Sequence, residues 1–376
     1  MSLDAAPVSS DAPTKDTDVP ILELSGISKR FTKHIDFAAR LLNLVGGNYA
    51  DKVVHAVDGV DLSIARGEVV GLIGESGCGK SPLGRVVAGI HPASDGTMHF
   101  NGTDFASMTP QEAHAALVKI QMIFQDPMSS LNPRKRVVEI IGEAPEFHGM
   151  IQGNEVESYV DEILSKVGLN SDVKRRYPHQ FSGGQRQRLG IARALAVNPE
   201  FIVCDEAVAA LDVSIQAQIL NLFMDLRDEL DLTYLFISHD LGVVHHIADR
   251  IVIMYLGRLV EMAPNKDLFA SPNHPYTQAL LADVPRIDRR KQTYAAIKGE
   301  LPSPLNPPSG CHFHPRCPHA TQRCREEAPA LREVAPGRMS ACHLNAGCRP
   351  LCRDDTLDLR GKVGAPDGGH RVEHRL

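Results

Sequence analysis

The chain has 376 residues, room for two domains of ordinary size, and 43% of them are apolar, ample for a globular core. A formal net charge of −6 lacks the basic excess of a dedicated nucleic-acid binder, so no nucleic-acid partner is expected. No apolar run approaches the roughly 18 residues of a membrane span, and the polar, acidic N-terminus does not read as a secretion signal, which together predict a cytoplasmic location.

Residues 1–20 are rich in Ser, Asp, Pro and Ala without apolar periodicity and read as a disordered tail. From Ile21 to about Phe100, short β-type runs such as VDLSI and EVVGLIG alternate with turn residues, and VVGLIG enters a glycine-rich loop followed by a helical stretch. Residues of about 111 to 180 read as mainly helical, with EVESYVDEILSKVGL clearly amphipathic. The β-type run FIVCDE begins at Phe201, and TYLFISHD and RIVIMYLG complete an α/β core before Pro264. A Pro-rich stretch then leads to six of the eight cysteines, between Cys311 and Cys352, and the chain ends in a charged, glycine-bearing tail. The expected division is a tail at 1–20, a main domain at 21–263, a cysteine-bearing region at 264–346 and a variable tail at 347–376.

Gly74, Glu75, Ser76, Gly77, Cys78, Gly79, Lys80 and Ser81 spell G-x-x-x-x-G-K-S directly after a strand-like run. Such glycines let successive backbone N–H groups curl round an anion, and the dipole of the following helix adds to the attraction. Lys80 is then placed to reach the β- and γ-phosphates of a nucleotide, and Ser81 offers a hydroxyl to Mg²⁺. Cys78 reads as a small residue in a tight loop and not as a redox site. Asp205 and Glu206 close the apolar run FIVCDE, so a strand end would carry two carboxylates to the nucleotide: Asp205 for Mg²⁺, Glu206 for the attacking water.

With FSGGQ at Phe181–Gln185 added, in this order, the sequence resembles the ATP-binding-cassette family, in which SGGQ is the signature. The resemblance implies a P-loop NTPase with a RecA-like α/β core, an antiparallel β subdomain, and a helical signature subdomain at about 126–185; a small Cys-rich extension would follow. It further implies that Gln125, in IFQDP, is the glutamine that senses nucleotide, reaches Mg²⁺ and meets the membrane partner, and that His239, in FISHD, is the switch histidine. Leu211 and Asp212 match the loop at the dimer seam, and Phe31, in ISKRF, matches the aromatic that stacks on adenine. Ser182, Gly183, Gly184 and Gln185 would present a hydroxyl and N–H groups at a helix N-terminus to a γ-phosphate held by a second subunit.

IFQDPMSSLNPR, DEAVAALDVSIQAQILNL, HPYTQALL and GELPSPLNPPSGCHFHPRCP are similar to the ATPase subunits of bacterial oligopeptide, dipeptide and nickel importers, over about Ile21 to His343. That likeness implies an ATP- and Mg²⁺-dependent ATPase peripheral on the cytoplasmic face of the inner membrane. Its implied partners are a second ATPase subunit, two transmembrane permeases and an external solute-binding protein. Two rivals stay open: a catalytically weakened partner subunit, and a soluble cassette ATPase uncoupled from transport.

Pro82 stands where this family has Thr, which removes one N–H and one hydroxyl from the phosphate grip. Proline also biases the preceding Ser81 away from helical backbone angles, so weakened nucleotide binding is expected. Ala209 replaces a serine of the seam loop and points the same way. Cys311, Cys317, Cys324 and Cys342 are spaced C-x5-C-x6-C-x17-C, wider than zinc-finger or ferredoxin spacings. They fit Zn²⁺, with His312, His314, His319 or His343 as further donors, a [4Fe-4S] cluster, which the resemblance associates with such a motif, or four unligated thiols. Either bound group would staple a small region, and Cys348 and Cys352 remain unassigned.

Overall fold

The computed structural model describes residues 19–33, 51–282 and 299–345. The expected terminal tails, and Cys348 and Cys352, lie wholly or almost wholly outside these residues.

Two sheets share the core. Strands β1 (Leu22–Lys33), β2 (Lys52–Ile64), β4 (Asp95–Phe100) and β5 (Thr103–Asp104) form an antiparallel sheet in the order β2-β1-β4-β5. Along the end of β2, Val60, Leu62 and Ile64 are buried and alternate with exposed residues, the period-2 pattern of a sheet with one face on the core. Strands β3 (Val69–Ile73), β7 (Phe201–Asp205) and β8 (Thr233–Ser238) are buried at every position. Such unbroken apolar runs suit a parallel sheet covered on both faces, and β3 pairs in parallel with both β8 and β9 (Arg250–Tyr255).

The second sheet has the order β11-β12-β10-β9-β3-β8-β7-β6, with β6 at Ile120–Ile123, β10 at Arg258–Pro264, β11 at Arg332–Ala335 and β12 at Arg338–Ser340. Strand β6 falls inside the stretch expected to be mainly helical. It is four residues long and pairs in parallel with β7, and a run that short carries no periodicity that separates strand from buried helix. The cysteine-bearing region does not stand off from the core: β12 pairs with β10, so Glu261 and Met262 sit opposite Ser340 and Met339.

Between β6 and β7 lie the helices α2 (Val137–Phe147), α3 (Val156–Lys166) and α4 (Gly183–Leu195), while α1 (Lys80–Val87) follows β3. The expected amphipathic segment is α3, which buries Val160, Ile163 and Leu164 on one face. Helix α5 (Val213–Leu230) packs Phe223 edge-on against Tyr234 and Phe236 of β8, joining the helical layer to the parallel sheet.

Candidate functional site

The parallel strands β3, β7 and β8 are neighbours, and each ends at the same edge of the sheet, where its next residue carries chemistry. Gly74 follows β3, and the loop closes into α1 with Gly79 as N-cap. Gly79 has φ +112°, and a Cβ there would lie 2.1 Å from the Ala56 carbonyl oxygen, so no other residue fits without moving β2. Lys80 is 4% exposed, and its ammonium donates to the carbonyls of Gly74 (2.7 Å) and Glu75 (3.0 Å). The first turn of α1 leaves N–H groups without helical partners and places the positive dipole end at the loop. Cys78 is buried against the loop, and burial pushes its thiol pKa up, which suits packing and not redox work.

The expected displacement of Ser81 by Pro82 does not occur. Helix α1 runs through both residues, with the Leu83 N–H bonded to the Gly79 carbonyl at 3.1 Å and Leu83, Val86 and Val87 buried. That packing outweighs the local bias, and a proline in the first turn forfeits no intrahelical bond. The Ser81 hydroxyl donates to Asp205 Oδ1 at 2.7 Å.

Asp205 ends β7, is 5% exposed, and has its carboxyl pKa raised by burial, against the lowering effect of the Ser81 hydrogen bond. Glu206 follows with φ +51°, a left-handed conformation uncommon for a residue with a side chain and costing on the order of 1 kcal/mol. Its N–H donates to the Ile237 carbonyl at 2.9 Å, which ties this turn to β8. The Glu206 Oε1 lies 3.1 Å from Nδ1 of His239, the residue after β8.

The loop, the start of α1 and Glu206 line one cleft of about 470 Å³, the size range of ligand pockets, while Asp205 and His239 stand behind it, bonded to Ser81 and Glu206. Its wall includes Ser76, Gly77, Lys80, Ser81, Pro82, Gln125 and Glu206, and Phe31 of β1 closes it on another side. The Phe31 ring has the Lys29 ammonium 5.1 Å from its centroid and His91 edge-on at 5.5 Å. Three lining residues are not among the site residues the sequence singles out: Val54 and Ala56, on β2, and Pro304, whose carbonyl accepts the His55 N–H at 3.1 Å.

Ser182–Gln185 and Asp212 do not line this cleft. Ser182 caps α4: its hydroxyl accepts the Gln185 N–H at 3.4 Å, and the Gln185 side chain accepts the Ser182 N–H at 3.1 Å. Gly183 instead shares a second pocket with Gln125 and Leu211. Asp212 caps α5 without a side-chain hydrogen bond, beside Val213, which is 84% exposed.

The model of the ABC transporter family matches residues 57–209, and that of the oligopeptide/dipeptide transporter C-terminal region matches 260–324. The oligopeptide transport ATP-binding protein AppF of Bacillus subtilis (strain 168) is 48% identical over 86% of this chain and 97% of its own length. The dipeptide transport ATP-binding protein DppF of Haemophilus influenzae is 47% identical over 77% of this chain and 89% of its own. The chain belongs to the ABC transporter ATP-binding proteins, in the oligopeptide/dipeptide group. Solved ABC structures share its fold. CbiO1 of Clostridium perfringens, part of the cbiONQ transporter complex, superposes with TM-score 0.53 at 25% identity over 67% of this chain and 92% of its own. The dimeric ATP-binding cassette MJ0796, bound to ADP and phosphate, gives 0.55 at 26% identity over 65% and 98%. The chain is thus an ABC-type ATPase subunit with a P-loop fold, and no described helix is long and apolar enough to cross a membrane.

In this ABC ATPase the C-terminal match includes Cys311, Cys317 and Cys324, and Cys342 lies beyond it. All four line one small pocket, together with His314, His319 and His343. None is in a disulfide, and burial pushes the Cys342 thiol up to about 11. Among the described residues, no three or more His, Cys, Asp or Glu side chains are grouped closely enough to hold a metal ion. His312 stands apart from that pocket, with Nδ1 bonded to the Leu256 carbonyl at 3.0 Å.

Proposed function

We propose that this chain is the ATP-hydrolysing motor of an importer for oligopeptides, dipeptides or similar small solutes. The observation that carries the reading is the convergence of the glycine loop, Gln125 and Glu206 with its His239 partner on one cleft. In that reading Gly74–Ser81 cradle the phosphates of ATP, Lys80 reaches the β- and γ-phosphates, and Phe31 stacks on adenine. The Ser81 hydroxyl and the Asp205 carboxylate, already 2.7 Å apart, are hard oxygen donors of the kind Mg²⁺ takes, with Gln125 as a third. The metal would neutralise phosphate charge, while Glu206 orients and deprotonates the attacking water and His239 holds the Glu206 carboxylate.

Ser182–Gln185 and Asp212, outside the cleft of their own chain, are assigned to the ATP of a second ATPase subunit across a dimer seam. The exposed Val213 beside Asp212 suits the same seam. Hydrolysis removes the charge that bridges the subunits, and two permeases fed by an external binding protein convert the opening into alternating access. The chain would then sit peripherally on the cytoplasmic face of the membrane. The test is peptide uptake by proteoliposomes carrying the permeases and both ATPase subunits, with the binding protein added: ATP should drive uptake with this chain and not with its Glu206→Gln variant. Equal uptake with both would sink the motor reading.

Pro82 and Ala209 favour a second reading, a partner subunit that holds ATP without turning it over. Because α1 is intact, the proline costs only one N–H and one hydroxyl contact, about 1–2 kcal/mol. Pro82→Thr is therefore expected to tighten MgATP binding about 5- to 30-fold in equilibrium titration; no change would mean that the cleft already compensates.

The four thiols spread round one pocket suit an iron–sulfur cluster, which takes one thiolate per iron. The same four thiols would equally make the closed tetrahedral set of a structural Zn²⁺. Cys311, Cys317, Cys324 and Cys342 would hold the cluster, and its service would be to staple the region, not to transfer electrons. Iron and acid-labile sulfide in anaerobically purified protein would support it; stoichiometric zinc alone would refute it.

A further inference from the structure

The cysteine-bearing region reaches back into the phosphate loop through one ion pair. Arg316, between Cys311 and Cys317, forms a two-pronged bridge to Glu75, the second residue of the loop, with Nη1 2.6 Å from Oε2 and Nη2 2.9 Å from Oε1. The Arg316 side chain is 5% exposed and that of Glu75 27%, so the pair is shielded from solvent on the arginine side. Tyr255 flanks the guanidinium, with its hydroxyl 3.4 Å from Nη1 and its ring centroid 5.9 Å from the guanidinium carbon. The Glu75 bond is the largest cause of a rise in the Arg316 pKa. The Tyr276 hydroxyl accepts the Glu75 N–H at 2.9 Å, and Tyr276 is wholly buried against Tyr255 and Phe313. The Glu75 carbonyl, in turn, accepts from Lys80. Every polar group of Glu75 is thus fixed, two of them by the C-terminal region.

We propose that Arg316 is a positioning residue for nucleotide binding: it holds the Glu75 carboxylate aside and cancels its charge, so that the loop can accept a polyphosphate. The inference rests on the reading of Gly74–Ser81 as the phosphate site. A carboxylate in a loop built to bind phosphate repels the ligand unless neutralised, and a fork-to-fork arginine pair both neutralises it and fixes its direction. The effect is directional in charge. Losing Arg316 leaves an anion beside the phosphates, whereas losing the Glu75 charge leaves a cation there.

The experiment is equilibrium MgATP binding by the purified full chain and its Arg316→Gln, Arg316→Lys, Glu75→Gln and Glu75→Gln/Arg316→Gln variants, each checked by thermal melting. Arg316→Gln should weaken binding about 10- to 100-fold, with a deficit that shrinks as ionic strength rises. Arg316→Lys, which keeps the charge without the fork, should fall between it and the wild type and serves if the glutamine variant does not fold. Glu75→Gln should weaken binding less than Arg316→Gln, and the double variant should recover most of the Arg316→Gln loss. A strut without an electrostatic role predicts equal losses from either single change and no recovery in the double, and that result overturns the inference, as does Arg316→Gln binding within twofold of the wild type. Lys80→Ala is the control: if it binds as the wild type does, the phosphate-site reading itself has failed; if it loses binding while the Arg316 variants do not, only the present inference has.

Discussion

Lys80→Ala is expected to weaken MgATP binding by about 30- to 5,000-fold, the 2–5 kcal/mol that follows removal of one partner from a desolvated charge pair. The lysine is almost fully buried at the mouth of α1, and its ammonium already lies within hydrogen-bond reach of two loop carbonyls. With nucleotide bound it would exchange carbonyl contacts for phosphate oxygens, so the positive charge needs no new position. Its loss should show in nucleotide titration while the melting temperature without nucleotide changes far less. A variant that binds as tightly as the wild type would remove the loop from the site.

Glu206→Gln is expected to cut ATP turnover by about 10²- to 10⁴-fold while MgATP affinity stays within a few-fold of the wild type. Glutamine keeps the shape and the His239 contact but cannot take a proton from water. The left-handed φ of +51° supports the assignment, because backbone strain is retained where it aims a side chain. Here it turns Glu206 off the end of β7 toward His239 and the cleft, while Asp205, one residue earlier, meets Ser81. A turnover loss matched by an equal affinity loss would instead make Glu206 a binding residue.

Much of this site was legible because its parts are local. The glycine loop follows a buried apolar strand within eight residues, and the acid pair ends another, so composition and position together give strand, turn and charge. The bias of Pro82 on Ser81 is a true local preference, yet burial of Leu83, Val86 and Val87 holds the helix through it. Strand β6 leaves no signal of its own, because four residues cannot display a period. The Arg316–Glu75 bridge spans 241 positions, and nothing in either neighbourhood signals the other. Pro304 reaches the cleft by the same kind of long-range return, through its carbonyl on His55. Tyr276 and Arg316 do lie in HPYTQALL and HPRCP, segments that carried the family resemblance, but a resemblance says that a segment belongs and not what it touches.

The measurement that bears most directly on the central claim, a working ATP site in this chain, is equilibrium MgATP binding by the purified wild-type protein beside Lys80→Ala and Pro82→Thr. A working site requires saturable binding by the wild type, its loss in Lys80→Ala, and a gain of no more than about 30-fold in Pro82→Thr. Binding by Pro82→Thr alone, with none by the wild type, would contradict the claim and leave the chain without a working ATP site.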